Sequence, residues 1–271
     1  LVVTCKDDKQ LALELFLSLG VAAGVLTTAI SSSPALALHP HHGADLSAQG
    51  GEGGEGGEGG EAGHGAAVQS DLDVLVVLAQ MQGHLLVAQE LLVQQQFSAA
   101  EPHVGHPVDE LYGALEPALQ RRGISPFLPV LESLRQLVRL NPNSPETALK
   151  LAKAQQAIAE AAQAMTGEAP PQAPLILAVV RQLGETATEE YAAAVAGDQV
   201  VEVIEYQDAR GFLLEAKRLL ERAIAGKPAA TKELMASQLT VAAMLKAFPT
   251  VMPPKKAVMG VVQLQQLQKE L

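Results

Sequence analysis

The chain has 271 residues and carries 30 acidic against 19 basic side chains, a formal net charge of −11. That balance excludes nucleic acid as a partner, because phosphate binding draws on clustered Lys and Arg. Hydrophobic residues make up 48% of the chain, with no Trp, five Phe and three Tyr, so the core is chiefly Ala, Leu and Val and favours helix packing over sheets.

Residues 1–37 read as a secretory signal. Lys6 and Lys9 form a basic start diluted by Asp7 and Asp8, Leu11 to Ile30 is nearly continuous apolar sequence interrupted by Glu14, and Ala35-Leu36-Ala37 fits the small-x-small cleavage pattern. This predicts a periplasmic or otherwise exported protein with no transmembrane segment left after cleavage. The same apolar run is long enough to serve as an uncleaved N-terminal membrane anchor, and that alternative stays open. Cys5 is the single cysteine and lies in the signal, so the exported chain would have neither disulfides nor thiolate metal sites. Residues 38–69 are a His/Gly/Glu-rich tether, with ten of the 23 glycines falling between Gly50 and Gly65. Gly-rich sequence cannot offset its ordering entropy by burial, which predicts disorder. His39, His41, His42 and His64 either capture Cu, Ni or Zn loosely or are simply solvated.

Apolar spacing predicts a helix from Asp71 to Gln96, capped by Ser70. A break near Phe97-Ser98 leads to a second helix that runs to about Arg122 and is kinked or split by Pro102, Pro107 and Pro117. Ser125-Pro126 opens a third helix, ending near Asn141-Pro142-Asn143, and Ser144-Pro145 opens a fourth, ending near Met165. Residues 167–174 form a linker by composition. The pattern then restarts, with helices over about 175–196, 199–225 and 229–248, and a last one after Pro253-Pro254. The expectation is an all-α protein of two tandem up-down four-helix bundles, residues 70–166 and 175–271, related by duplication.

In a hairpin turning near Phe97, residues equally far from the turn lie level, at about 1.5 Å per residue. His84 is then level with Glu110, and Glu90 with the His103 region. His103 and His106, three apart, share a face. His84, Glu90, His103, His106 and Glu110 therefore gather along one seam, a donor set suited to Fe, Zn, Ni or Cu. The competing reading is an irregular turn at Pro102, Gly105 and Pro107 with its histidines in solvent. At the second hairpin, turning near Gly197-Asp198, Glu190 is level with Glu205. Glu202, Glu205 and Asp208 drift around one side, and Glu185 and Glu189 lie opposite. These form either an inward carboxylate site for a hard cation or a solvated acidic face paired with Arg181, Arg210 and Arg218. Tyr191 and Tyr206 are either core residues or ferric-iron ligands.

The stretch Glu190-Tyr-Ala-Ala-Ala-Val-Ala-Gly-Asp-Gln-Val, with Glu205-Tyr206-Gln-Asp-Ala-Arg-Gly-Phe212, resembles a helical hairpin in the extracytoplasmic part of bacterial iron permeases and related periplasmic iron-uptake proteins. The sequence lacks the permeases' multiple membrane spans. It also lacks the Gly-x-His-x-x-Glu motif of imelysin-like iron proteins, since Gly83-His84 is followed by Leu85-Leu86. The resemblance implies iron or related metal handling outside the cytoplasm, with a membrane metal transporter as partner. The function expected is an exported metal-binding protein that scavenges, carries or assists uptake of a transition metal, iron favoured and Zn, Cu or Ni open. The candidate ligands are His84, Glu90, His103, His106 and Glu110, and Glu190, Glu205 and Asp208. An envelope interaction module without metal is the alternative. A di-metal oxidase ranks last, because the Glu-x-x-His pair it needs is missing from these helices, and the chain reads as a carrier rather than an enzyme.

Overall fold

Ser70 starts the first helix, as its place before an apolar run predicts. Its hydroxyl accepts from the Asp73 N–H at 3.1 Å while the Asp73 carboxylate accepts from the Ser70 N–H at 2.8 Å, a reciprocal capping box. The computed structural model describes residues 68–167, 171–225 and 232–271, all within one unit of the chain, Gly54–Leu271. The expected signal, the tether as far as residue 67 and residues 168–170 of the linker lie outside the described residues.

The described chain is all-α apart from one two-stranded ribbon. The first set of elements is α1 (Asp71–Val93), α2 (Phe97–His106), a π-helical turn (Pro107–Leu111), α3 (Tyr112–Arg121), α4 (Leu128–Leu140) and α5 (Pro145–Thr166). The second is α6 (Ala173–Ala194), strands β1 (Val195–Ala196) and β2 (Gln199–Val200), α7 (Val203–Ala225), α8 (Lys232–Met244), a 3₁₀ turn (Leu245–Ala247) and α9 (Val261–Gln268). β1 and β2 pair antiparallel around Gly197, whose φ of 65° is one that glycine adopts without a Cβ penalty.

Three expected helix starts move. Ser125-Pro126 precedes α4 without capping it: the helix begins at Leu128 with Pro129 in its first turn, and the Phe127 N–H donates to the Tyr112 hydroxyl oxygen at 3.2 Å. α7 begins at Val203 because Gln199 and Val200 are drawn into the ribbon. After Pro253-Pro254 the chain runs on as a loop to Gly260, held to the ribbon by the Val200 N–H on the Lys255 carbonyl and the Ala257 N–H on the Asp198 carbonyl.

α1 has apolar residues spread around its axis rather than along one stripe, and most of them are buried, as befits a helix packed between two sets of neighbours. Its most apolar stretch, of mean hydropathy 1.3, is long enough to cross a membrane, but 72% of it is buried by packing. Val77, Leu78, Met81 and Leu85 join the core formed with α2 to α5. Val76 and Ala79 join the core formed with α6 to α8. α1 is thus the common wall of both helix sets. Polar side chains tie it across: Gln80 donates to the Thr186 hydroxyl at 3.4 Å, and Gln82 to the Gln155 carbonyl at 2.6 Å.

One buried acid has a consequence for stability. Glu215, on α7, is 3% exposed and lines an apolar cavity of about 450 Å³ between α1, α5, α6 and α7. Burial pushes its carboxyl up to about 7 against the pull of Arg218 and Arg222. The folded state therefore keeps a proton that the unfolded chain releases near pH 4.5, so stability falls as pH rises from about 4.5 to about 7 and then levels. The loss amounts to as much as about 3 kcal/mol. Glu215→Gln removes it: denaturant melts should show the variant near the parent at pH 4.5 and clearly more stable at pH 8.

Candidate metal centre

α1 ends at Val93, and the turn to α2 centres on Gln95, in the left-handed region with φ 59°. The Gln96 N–H closes back on the Leu91 carbonyl at 2.8 Å. A turn at Gln95 rather than Phe97 moves the residue level with His84 from Glu110 to His106. The two imidazoles meet edge to face, centroids 4.9 Å apart. Pro107 has no N–H to donate, and the chain widens after His106 into a π turn closed by the Tyr112 N–H on the Pro107 carbonyl. Glu110 lies exposed on that turn, and its neighbour Asp109 pairs with Arg135 at 2.6 Å.

His103 and His106, one turn apart on α2, meet His84 of α1, with ring centroids 6.2 Å and 4.9 Å from its own. What they converge on comes from the second helix set. Asp208 of α7, 2% exposed, accepts from His84 Nδ1 at 2.7 Å and from His103 Nδ1 at 2.8 Å through one oxygen, with His106 Nδ1 3.4 Å from the other. Burial alone raises the Asp208 carboxyl, but His84 and His103 beside it, with hydrogen bonds from His103 and His106, hold it well below the usual carboxylate range. His84 and His103 are fully buried, and His106 is partly so.

Two glycines permit this approach. A Cβ at position 211 would lie 2.5 Å from the Gly83 carbonyl oxygen, and one at position 83 would lie 2.8 Å from Phe212 Cδ1. α1 and α7 thus cross almost backbone to backbone, one residue from His84 and three from Asp208. Next to the crossing, Arg210 grips Glu90 bidentately, Nε to Oε2 at 2.9 Å and Nη2 to Oε1 at 2.8 Å, and donates to the Phe248 carbonyl. Glu90 is therefore a clamp between α1 and α7. It stands outside the His/Asp cluster.

Of the acids at the second hairpin, Glu185, Glu189 and Glu202 are exposed. Glu190 and Glu205 are buried but stand outside the cluster. Glu205, one turn before Asp208, is raised by burial, with the charges of Glu202 and Asp208 adding to the rise and His106 opposing it. The tyrosines are structural. The Tyr191 hydroxyl donates to the Met259 carbonyl at 2.7 Å and the Tyr206 hydroxyl to the Thr250 carbonyl at 3.1 Å, both rings packing on Phe248. Burial pushes the Tyr206 phenol up to about 12, which opposes its ionising to ligate ferric iron.

Among the described residues, one group of histidines and acids has the geometry to hold an ion: His84, His103, His106 and Asp208, with ligand atoms all within 4.8 Å of one another. Donors on one tetrahedral ion at about 2.05 Å lie about 3.3 Å apart. The hydrogen-bonded contacts would open by about half an ångström for an ion to replace the protons between them, while donors as far as 4.8 Å apart would close by about 1.5 Å. Three imidazoles and one carboxylate suit Fe(II), Zn(II), Ni(II) or Cu(II).

Residues 167–271 match the model of the iron permease-associated 4-helix bundle domain. The resemblance expected at residues 190–212 falls within that span, as does Asp208. The three histidines lie outside it. No curated protein and no solved structure matches the chain. The sequence pointed to all four clustered residues, but gave no structural role to Gly83, Gly211 or Gln207, which place them, and it offered Arg210 as a partner for the second hairpin's acids where the structure pairs it with Glu90. An isolated glycine within a helical pattern was the available signal for the first two.

Gly211→Ala forces the crossing apart. Helix propensity alone would favour the alanine by about 1 kcal/mol, whereas overpacking costs about 1–3 kcal/mol. The denaturation midpoint should fall, with an unchanged slope. Tyr206→Phe should cost about 1 kcal/mol of stability for the lost hydrogen bond and leave metal affinity unchanged in a titration.

Proposed function

We propose that His84, His103, His106 and Asp208 bind one divalent transition-metal ion, and that the protein carries iron or assists its uptake outside the cytoplasm, beside a membrane metal transporter. The observation that carries this reading is the convergence of three imidazoles on one buried carboxylate drawn from the other helix set. A structural salt bridge needs one histidine for one acid. Three around one make a ligand set.

Iron is favoured by the match of residues 167–271 to a domain associated with iron permeases. The nitrogen-rich donors favour Fe(II) over Fe(III), which prefers hard oxygen ligands. Glu205, buried one turn along α7 from Asp208, is a further carboxylate on the same helix. A carrier fits better than an oxidase, since four donors converge for one ion and no second set adjoins them among the described residues. Export rests on the apolar run Leu11–Ile30 and the Ala35-Leu36-Ala37 site.

The test uses the full chain with His39, His41, His42 and His64 replaced by Ala, so that only the folded body reports. Anaerobic Fe(II) and Zn(II) titrations should each give one site per chain. His103→Ala combined with Asp208→Asn should weaken binding by at least about 100-fold, since ligands matter more than the residues that orient them. Affinity should fall as pH is lowered, because the ring nitrogens must shed protons to bind. A body that binds none of Fe(II), Zn(II), Cu(II) or Ni(II) overturns the proposal.

A further inference from the structure

His103 is bonded at both ring nitrogens. Nδ1 meets Asp208, and Nε2 lies 2.9 Å from Gln207 Oε1. Which way the Gln207 amide points decides what that second bond means, and its surroundings decide the orientation. Its Nε2 lies 3.3 Å from the Val251 carbonyl oxygen and 3.6 Å from Met252 Sδ. Turned the other way, the amide would set its own oxygen against the Val251 oxygen and its NH₂ against the His103 ring. The oxygen therefore faces His103, and His103 Nε2 must carry the proton. Gln207 itself is 1% exposed, so the bond is shielded from bulk solvent.

We infer that Gln207 selects Nδ1 of His103 as the metal-binding atom, holding the ring in the tautomer and orientation that present Nδ1 to the ion. This deepens the metal-site reading and rests on it. With Nε2–H held by the amide, the nitrogen that yields its proton to an incoming ion is Nδ1, the atom that donates to the shared Asp208 oxygen when no ion is bound. The amide also ties the ring to the loop at Val251 and Met252, so this loop and α7 together set the His103 ring. Gln207 is thus a positioning residue that acts through His103 without touching the metal.

The experiment uses the full chain with the four tail histidines replaced by Ala, loaded with Zn(II) for affinity and Co(II) for spectroscopy. Gln207→Leu should lower Zn(II) affinity about 10–100-fold. Gln207→Glu, which keeps an acceptor oxygen toward His103, should stay within a few-fold of the parent. In the Co(II) form, paramagnetic proton NMR of the parent should show a slowly exchanging ring N–H from His103 at Nε2. That signal should exchange faster or vanish in Gln207→Leu. Coordination of His103 through Nε2 in the parent overturns the inference whether or not any variant folds. So does unchanged affinity in Gln207→Leu, and in both cases the metal site itself stands. A parent chain that binds neither Zn(II) nor Co(II) overturns the site reading as well.

Discussion

Helices α1 and α7 touch backbone to backbone at Gly83 and Gly211, and the positions of the site residues follow from that crossing. A side chain at either point would hold the helices apart. Because the helices meet there, His84 reaches Asp208, the Phe212 ring lies edge-on to the His84 ring with centroids 5.0 Å apart, and Arg210 reaches Glu90. One face of α1 builds the first core and another builds the second. The helix that carries His84 is thereby fixed by packing on all sides.

At the centre of this packing sits a carboxylate. A buried, ionised acid is costly unless it is paired and hydrogen-bonded. Asp208 meets that demand with protons on surrounding imidazoles, or with a cation in their place. Both solutions use the same atoms, and a rearrangement of the donors by about an ångström separates them. The elements that hold the histidines are placed for reasons independent of the metal: the Gln95 turn sets the level of α2 against α1, and the π turn after Pro107 carries Glu110 out to solvent.

The acids and tyrosines of the second hairpin divide by burial. Glu185, Glu189 and Glu202 face solvent. Tyr191 and Tyr206 stack around Phe248 and give their hydroxyls to the loop over residues 250–259. Gln207 and Arg210 hold the start of the same segment, at Val251 and Phe248. Four residues of α6 and α7 thus pin one loop, and Gln207 extends that scaffold to the His103 ring.

Local chemistry was legible in the sequence. The Ser70 and Ser144 caps, the glycine turn at Gly197, the stop before Gly167 and the all-α class follow from residue type and period, because each depends on neighbours a few positions away. His84, His103, His106 and Asp208 were legible as candidate donors because few residue types bind transition metals. Their assembly was not. Placing the turn two residues late put Glu110 where His106 belongs, since a helical hairpin doubles any error in its turn. Asp208 was assigned to a separate carboxylate site because a periodic pattern shows which face of a helix is apolar and leaves its partner open. That α7 would press against α1 at a pair of glycines was decided by packing between residues more than a hundred positions apart, and only the tertiary structure carries that information.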